Sequence, residues 1–234
     1  MKNLVQIGAL FFVGLGLISC SSTEIGNSKD VAQERIYQQY EVRYNAENPE
    51  LTAYAQFRFA GSKGTTLVLN EPSSIRFDGN LIKVDSADFS GAYYQFYQPI
   101  TKAWGSHQFE FADYNKKVFT NSFTMEPFEL DSFPNEIDAN QPLNIPFRAG
   151  IFGAEDEIDV STIASDSSFS FSFKPIANKP IITIAAEQLK RQQGKPFKLL
   201  ISLRKVLPLK ETTAEGGTLL IRYTLKPLSI RFKK

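Results

Sequence analysis

In Ser168-Phe169-Ser170-Phe171-Ser172-Phe173 every second residue is phenylalanine and the rest are serine. Successive side chains point to opposite faces only in an extended strand, so three rings share one face and three hydroxyls the other. A helix would scatter the rings around its circumference. The same period of two runs through Ala53, Ala55, Phe57 and Phe59, alternating with Thr52, Tyr54, Gln56 and Arg58. Turn chemistry separates such runs. Gly61-Ser62-Lys63-Gly64 leads into residues 65–69, and Asp78-Gly79 divides residues 74–77 from 80–84. An Asp-Gly pair in that setting is the signature of a two-residue hairpin, because a type I′ turn requires positive φ at both central positions. Residues 93–97 are rich in aromatic strand formers. Residues 108–111 and 117–120 flank Asp113-Tyr114-Asn115-Lys116 as a second expected hairpin. About seven short strands in roughly 90 residues is the density of a β-sandwich.

The stretch from Met125 to Asn144 is spaced by Pro127, Pro134 and Pro142 and is acidic at Glu126, Glu129, Asp131, Glu136 and Asp138. It reads as a connector, with a boundary near Leu130. Beyond it, strands are expected at 143–148, 158–163, 169–173, 181–185, 197–204, 218–225 and 228–232, with Glu215-Gly216-Gly217 as a further turn. Only residues 186–193 look helical, stopped by Gly194. The expected fold is all-β: two tandem immunoglobulin-like β-sandwich domains, residues 35–130 and 131–234. No alignable repeat links the halves, so duplication stays an analogy of style.

Before the sandwiches, Lys2 is followed by an almost wholly apolar run from Leu4 to Leu17, the layout of a secretory signal. That run is short for a spanning helix, which needs about 20 residues. Leu17-Ile18-Ser19-Cys20 resembles the lipobox of bacterial lipoproteins, and Cys20 is the sole cysteine. The resemblance implies a signal peptide over residues 1–19 and a lipid on Cys20, which becomes the new N-terminus. The small polar residues that follow make 20–34 a flexible tether, unable to bury enough apolar surface to fold. Only Glu24 stands where some lipoproteins carry an acidic surface-export run. The whole chain resembles lipoproteins of unknown function from Bacteroidota. That implies a cell-envelope protein lipid-anchored through Cys20, at the outer membrane, with the leaflet left open.

One cysteine leaves no intramolecular disulfide, so packing alone must hold the fold. Lys2 is the only charged residue among the first nineteen, and the full chain carries +1, so the rest is charge-balanced. Nucleic acid, which requires a basic surplus on one face, is not an expected partner. His107 is the only histidine, which rules out a Cys/His zinc site. In Trp104-Gly105-Ser106-His107-Gln108 it reads as a surface or cross-strand residue at a strand entry rather than a catalytic base, and no Gly-x-Ser-x-Gly elbow accompanies it. No catalytic residue, cofactor or metal is expected. The one carboxylate cluster, Glu155-Asp156-Glu157-Ile158-Asp159, lacks calcium-loop spacing and reads first as a solvated loop or edge-strand guard, with a calcium loop as the alternative.

Aromatic content is 13%, with 20 Phe, 9 Tyr and one Trp. Most of it is needed to fill a disulfide-free core. Tyr93, Tyr94, Tyr97 and Trp104 are the candidate ligand-binding residues, as a stacking platform for a sugar or protein. Tyr93 and Tyr94 must face opposite ways, so one of them looks outward. Three functions remain open. The first is a non-enzymatic binding or adhesion module for a glycan or protein. The second is an assembly lipoprotein that pairs with another envelope protein through a strand edge. The third is a hydrolase built on His107 or a carboxylate pair.

Overall fold

The computed structural model describes residues 25–87, 91–134, 136–163, 169–176, 180–193 and 197–233. The signal segment and Cys20 lie outside the described residues. The strands of the first half are β1 (Ile25–Asn27), β2 (Ile36–Asn45), β3 (Glu50–Phe59), β4 (Thr66–Val68), β5 (Ser74–Phe77), β6 (Asn80–Leu81), β7 (Val84–Ala87), β8 (Gly91–Pro99), β9 (Gly105–Ala112), β10 (Val118–Met125) and β11 (Glu129–Leu130). Those of the second are β12 (Leu143–Arg148), β13 (Glu157–Ile163), β14 (Ser170–Phe173), β15 (Ile181–Ile184), β16 (Phe197–Leu207), β17 (Gly217–Thr224) and β18 (Leu228–Ile230). A single turn of helix, α1 (Ala186–Lys190), interrupts them. It is shorter than the expected 186–193, because its apolar content holds only Leu189 in the core.

Alternation organises everything. In β3, Leu51, Ala53, Ala55 and Phe57 are buried while Thr52, Tyr54 and Arg58 face out. The Asp78-Gly79 hairpin is present, with φ of 47° and 79° at its two central residues and Phe77 paired with Asn80. The second hairpin joins β9 to β10, with Ala112 opposite Val118.

One long sheet runs β1-β4-β3-β2-β17-β16-β13-β14, with β8 beside β3 and β7 beside β8. Over its first half lies the four-stranded sheet β10-β9-β5-β6. Tyr40 stacks on Phe109 with centroids 4.5 Å apart, and Phe57 meets Phe111 at 4.5 Å, knitting the two layers. Over its second half lies β11-β12-β15, where Phe128 packs edge-on against both Phe147 (5.7 Å) and Tyr223 (6.4 Å). The chain is therefore all-β, two β-sandwich halves built on a shared sheet. What joins them is the parallel β2–β17 ladder, eight residues from Gly217 opposite Gln38 to Thr224 opposite Asn45. Gly217 is required at its start, since a Cβ there would collide with the Gln38 carbonyl and Leu209. The acidic connector is woven into this body: Phe128 and Ile137 are buried, and β11 pairs with β12.

The flexible tether expected over 20–34 is corrected from Ile25 onward. β1 pairs in parallel with β4, and 3-10 turns follow at Ser28–Asp30 and Gln33–Arg35. Ser28 is fully buried; its Oγ accepts from Asn70 N at 2.9 Å, and Gln33 Nε2 donates to its carbonyl at 2.6 Å. Low apolar content hid this anchoring because the segment is held by hydrogen bonds rather than by a hydrophobic face.

Candidate binding face

Both smaller sheets cover the same side of the long sheet, so the outward residues of β2, β3, β8, β16 and β17 form its other side. Cross-strand register sets them in rows. One row reads Glu157, Arg204, Arg222, Arg43, Thr52 and Tyr97, each opposite the next on a neighbouring strand. The adjacent row includes Leu220, Glu41, Tyr54 and Gln95. The Tyr54 ring stacks near-parallel on Tyr93 (centroids 5.6 Å, 22°), and the Arg43 guanidinium lies over Tyr54 at 5.4 Å. Tyr93 OH donates to Asp85 at 3.3 Å, and Tyr97 is 52% exposed.

Two carboxylates serve the three guanidiniums of the row. Arg204 Nη2 donates to Glu157 at 2.6 Å. Glu41 accepts from Arg43 Nη2 at 2.8 Å and from Arg222 Nε at 3.2 Å. Burial alone would push the Glu41 carboxyl up, but the hydrogen bonds and charges of Arg43 and Arg222 outweigh it and hold the group below its ordinary value. The arginines stay open to solvent, with 47%, 40% and 34% of the Arg43, Arg222 and Arg204 side chains exposed.

The sequence candidates divide. Tyr93 and Tyr97 share the outer face as odd members of β8. Tyr94 is corrected: it is 3% exposed, faces the core edge-on to Phe57, and its hydroxyl accepts from Leu69 N at 2.6 Å. That burial pushes its phenol up to about 12. Trp104 is 39% exposed but sits elsewhere, against Tyr44 (4.7 Å) and Tyr223 (6.3 Å) on the inner side. Tyr54, Arg43, Arg222, Arg204 and Glu41 escaped the sequence reading. The outward positions of β2 and β3 were visible in the alternation, but Arg222 reaches Glu41 and Arg43 only through the long-range β2–β17 pairing.

Of the two readings of His107, the surface one is corrected: it is a cross-strand residue of β9 opposite Phe123, buried at 4% exposure. Its Nδ1 is 2.8 Å from Asp78 Oδ2 and its Nε2 is 3.0 Å from the Ala103 carbonyl oxygen. Asp78 Oδ1 also accepts from Gln108 N at 2.9 Å, so the pair clasps the Asp78-Gly79 turn onto β9. Among the described residues, the hydrogen-bond partners of His107 are the Asp78 carboxylate and a backbone carbonyl, with no serine, threonine or cysteine.

The acidic cluster diverges. Asp156 is fully buried and accepts from Gly153 N and Val206 N, both at 2.9 Å. Glu155 pairs with Lys174 at 3.5 Å, Glu157 with Arg204, and Asp159 accepts from Ser172 Oγ. The edge-guard reading is corrected as well, since β13 lies between β16 and β14. Among the described residues, no group of three His, Cys, Asp or Glu side chains converges to hold a metal ion.

Apart from the outer face, a cleft of about 650 Å³ is lined by Phe171, Phe173, Ile176 and Ile181 with Asn144, Lys174 and Thr183. It opens beside β14 and β15, the last strands of their sheets.

No family model and no curated protein sequence matches this chain. Among solved structures it is similar to the IG1+IG2 pair of DIP-gamma, at 10% identity and a TM-score of 0.22, covering 83% of this chain and 95% of that one. It is also similar to SGBP-B of the Bacteroides ovatus mixed-linkage glucan utilization locus, solved with a mixed-linkage heptasaccharide, at 9% identity and a TM-score of 0.22. That likeness covers 89% of this chain and 66% of the other. No helix among the described residues is long and apolar enough to cross a membrane.

Proposed function

We propose that this chain is a non-enzymatic binding module of a bacterial cell envelope, lipid-anchored at Cys20 and presenting the outer face of its long sheet to a glycan. The observation that carries the reading is the Tyr54–Tyr93–Tyr97 surface bordered by exposed guanidiniums. Aromatic rings stack on the apolar faces of sugars, arginines donate to their oxygens, and a regular sheet holds both groups rigidly. The anchor fits this display. β1, the first described element after Cys20, forms one end of the long sheet, and β14 lies seven strand steps away, roughly 34 Å at about 4.8 Å per step.

Affinity electrophoresis of the full chain through a panel of neutral and acidic polysaccharides tests the reading. Retardation by at least one polymer, lost in Tyr54→Ala/Tyr97→Ala, is expected. Free migration through every polymer overturns it. Incorporation of labelled palmitate that vanishes in Cys20→Ala tests the anchor.

A second reading, an assembly lipoprotein, draws on the cleft between β14 and β15. Ile176 and Ile181 are 64% and 44% exposed there, and among the described residues no strand pairs with the outer edge of either strand. An extended segment of another envelope protein could add to such an edge. Site-specific crosslinking from position 176 in intact cells that captures one partner protein would support it, and the absence of any adduct would remove it.

A further inference from the structure

We infer that the ligand of the outer face is an acidic saccharide, one that presents carboxylate or sulfate groups to Arg204, Arg222 and Arg43. The inference rests on the glycan-binding reading above and specifies its chemistry. The three arginines stand directly opposite one another on β16, β17 and β2. Like charges in directly opposed positions destabilise a sheet, a cost that the Glu41 and Glu157 carboxylates offset here only in part. Glu157 and Glu41 answer them with two negative charges, and Glu41 divides its carboxylate between Arg43 and Arg222. Each guanidinium thus touches a carboxylate, but three positive charges face two negative ones, and the set of five side chains keeps a net charge of +1.

The unmet capacity faces outward. Glu41 is itself buried, 8% exposed at the side chain, and lies beneath the guanidiniums it orients, which keep a third to a half of their side chains in solvent. A guanidinium has five donors in a planar fork, and a single bond to Glu41 or Glu157 leaves most of them for a second anion. The backbone positions that carry successive arginines are offset by about one strand spacing, roughly 4.8 Å, so the row runs across the strands as an extended polymer could. It ends at Thr52 and Tyr97, beside the Tyr54–Tyr93 stack, so one chain can lay acidic groups on the arginines and a sugar ring on the exposed Tyr97. That adjoining aromatic surface favours a saccharide over an acidic peptide.

The test measures binding of the full chain to polygalacturonate, alginate, hyaluronan and dextran sulfate, with methyl-esterified polygalacturonate and a neutral glucan beside them. Expected are retention by at least one polyanion, weakening as salt screens the charges, and at least about tenfold weaker binding to the esterified than to the free polyuronate, or to dextran than to dextran sulfate. Arg43→Gln/Arg222→Gln is expected to lose about tenfold or more, read well below a melting temperature that falls because Glu41 loses both partners, while Glu41→Gln, which removes a competing anion, retains or gains affinity. The wild-type comparison of free and esterified polymer needs no variant to fold. Equal binding of charged and neutral forms overturns the inference and leaves the glycan reading standing. Binding of poly-glutamate through the same arginines with no saccharide retained overturns both, as does retention by no polymer.

Discussion

Arg43 and Arg222 stand directly opposite each other on parallel neighbouring strands, and the single carboxylate of Glu41 accepts from both. One strand belongs to each sandwich, so this bridge spans the junction of the two halves as well as organising the candidate binding face.

Replacing that carboxylate has a signed pH consequence. The folded-state value of Glu41 lies below its ordinary one, so its contribution is fully present above the ordinary carboxylate range and fades as pH falls through the folded value. Glu41→Gln is expected to destabilise by about 1–2 kcal/mol at pH 7, less than a fully buried ion pair because the arginines are partly solvated. Urea unfolding of both proteins at pH 7 and again below about pH 4 checks it: the gap should narrow in acid. A gap that widens on acidification would contradict the sign.

Asp78→Ala removes the acceptor for His107 Nδ1 and for Gln108 N together. A loss of about 1–3 kcal/mol is expected from the groups left unpaired, read as a lowered urea midpoint. His107→Ala should lower the same midpoint while leaving glycan binding untouched, since His107 lies under the four-stranded sheet and not on the outer face.

The parallel β2–β17 ladder makes the halves interdependent. Thermal unfolding of the full chain is expected as one transition, and a fragment of residues 25–130 is expected to lack a cooperative one, because excision exposes the β2 edge and strips Trp104 of its Tyr223 contact. Two resolved transitions in the full chain would show the halves folding separately.

The segment around Ser28 is part of the fold. Deleting residues 25–30 removes β1 and the buried Ser28. A fall of several degrees is expected, since about 1 kcal/mol shifts a domain of this size by roughly 2–4 °C.

Much of this architecture was legible in local pattern. Alternation in Leu51–Phe57 gave the buried face of β3, and Asp78-Gly79 gave its hairpin, because both depend on neighbours in sequence. The binding face was only half legible. Alternation required Tyr93 and Tyr94 to diverge but not which one faced inward, since that depends on which side the four-stranded sheet covers. The arginine row depends on register between strands some 180 residues apart, which no local spacing encodes. Trp104 was grouped with Tyr93 and Tyr97 because it is near in sequence, yet the turn at Ile100–Lys102 carries it to the other side of the sheet.

Hydroxyl-radical footprinting of the full chain, with and without a saturating concentration of the polysaccharide that retards it most, tests the location of binding most directly. Protection of Tyr54, Tyr93 and Tyr97, with exposed Tyr114 and Trp104 unchanged, is the expected result. Protection confined to Phe171, Phe173 and Ile176, with the three tyrosines still reactive, would contradict the outer face and move the site to the cleft beside β14 and β15.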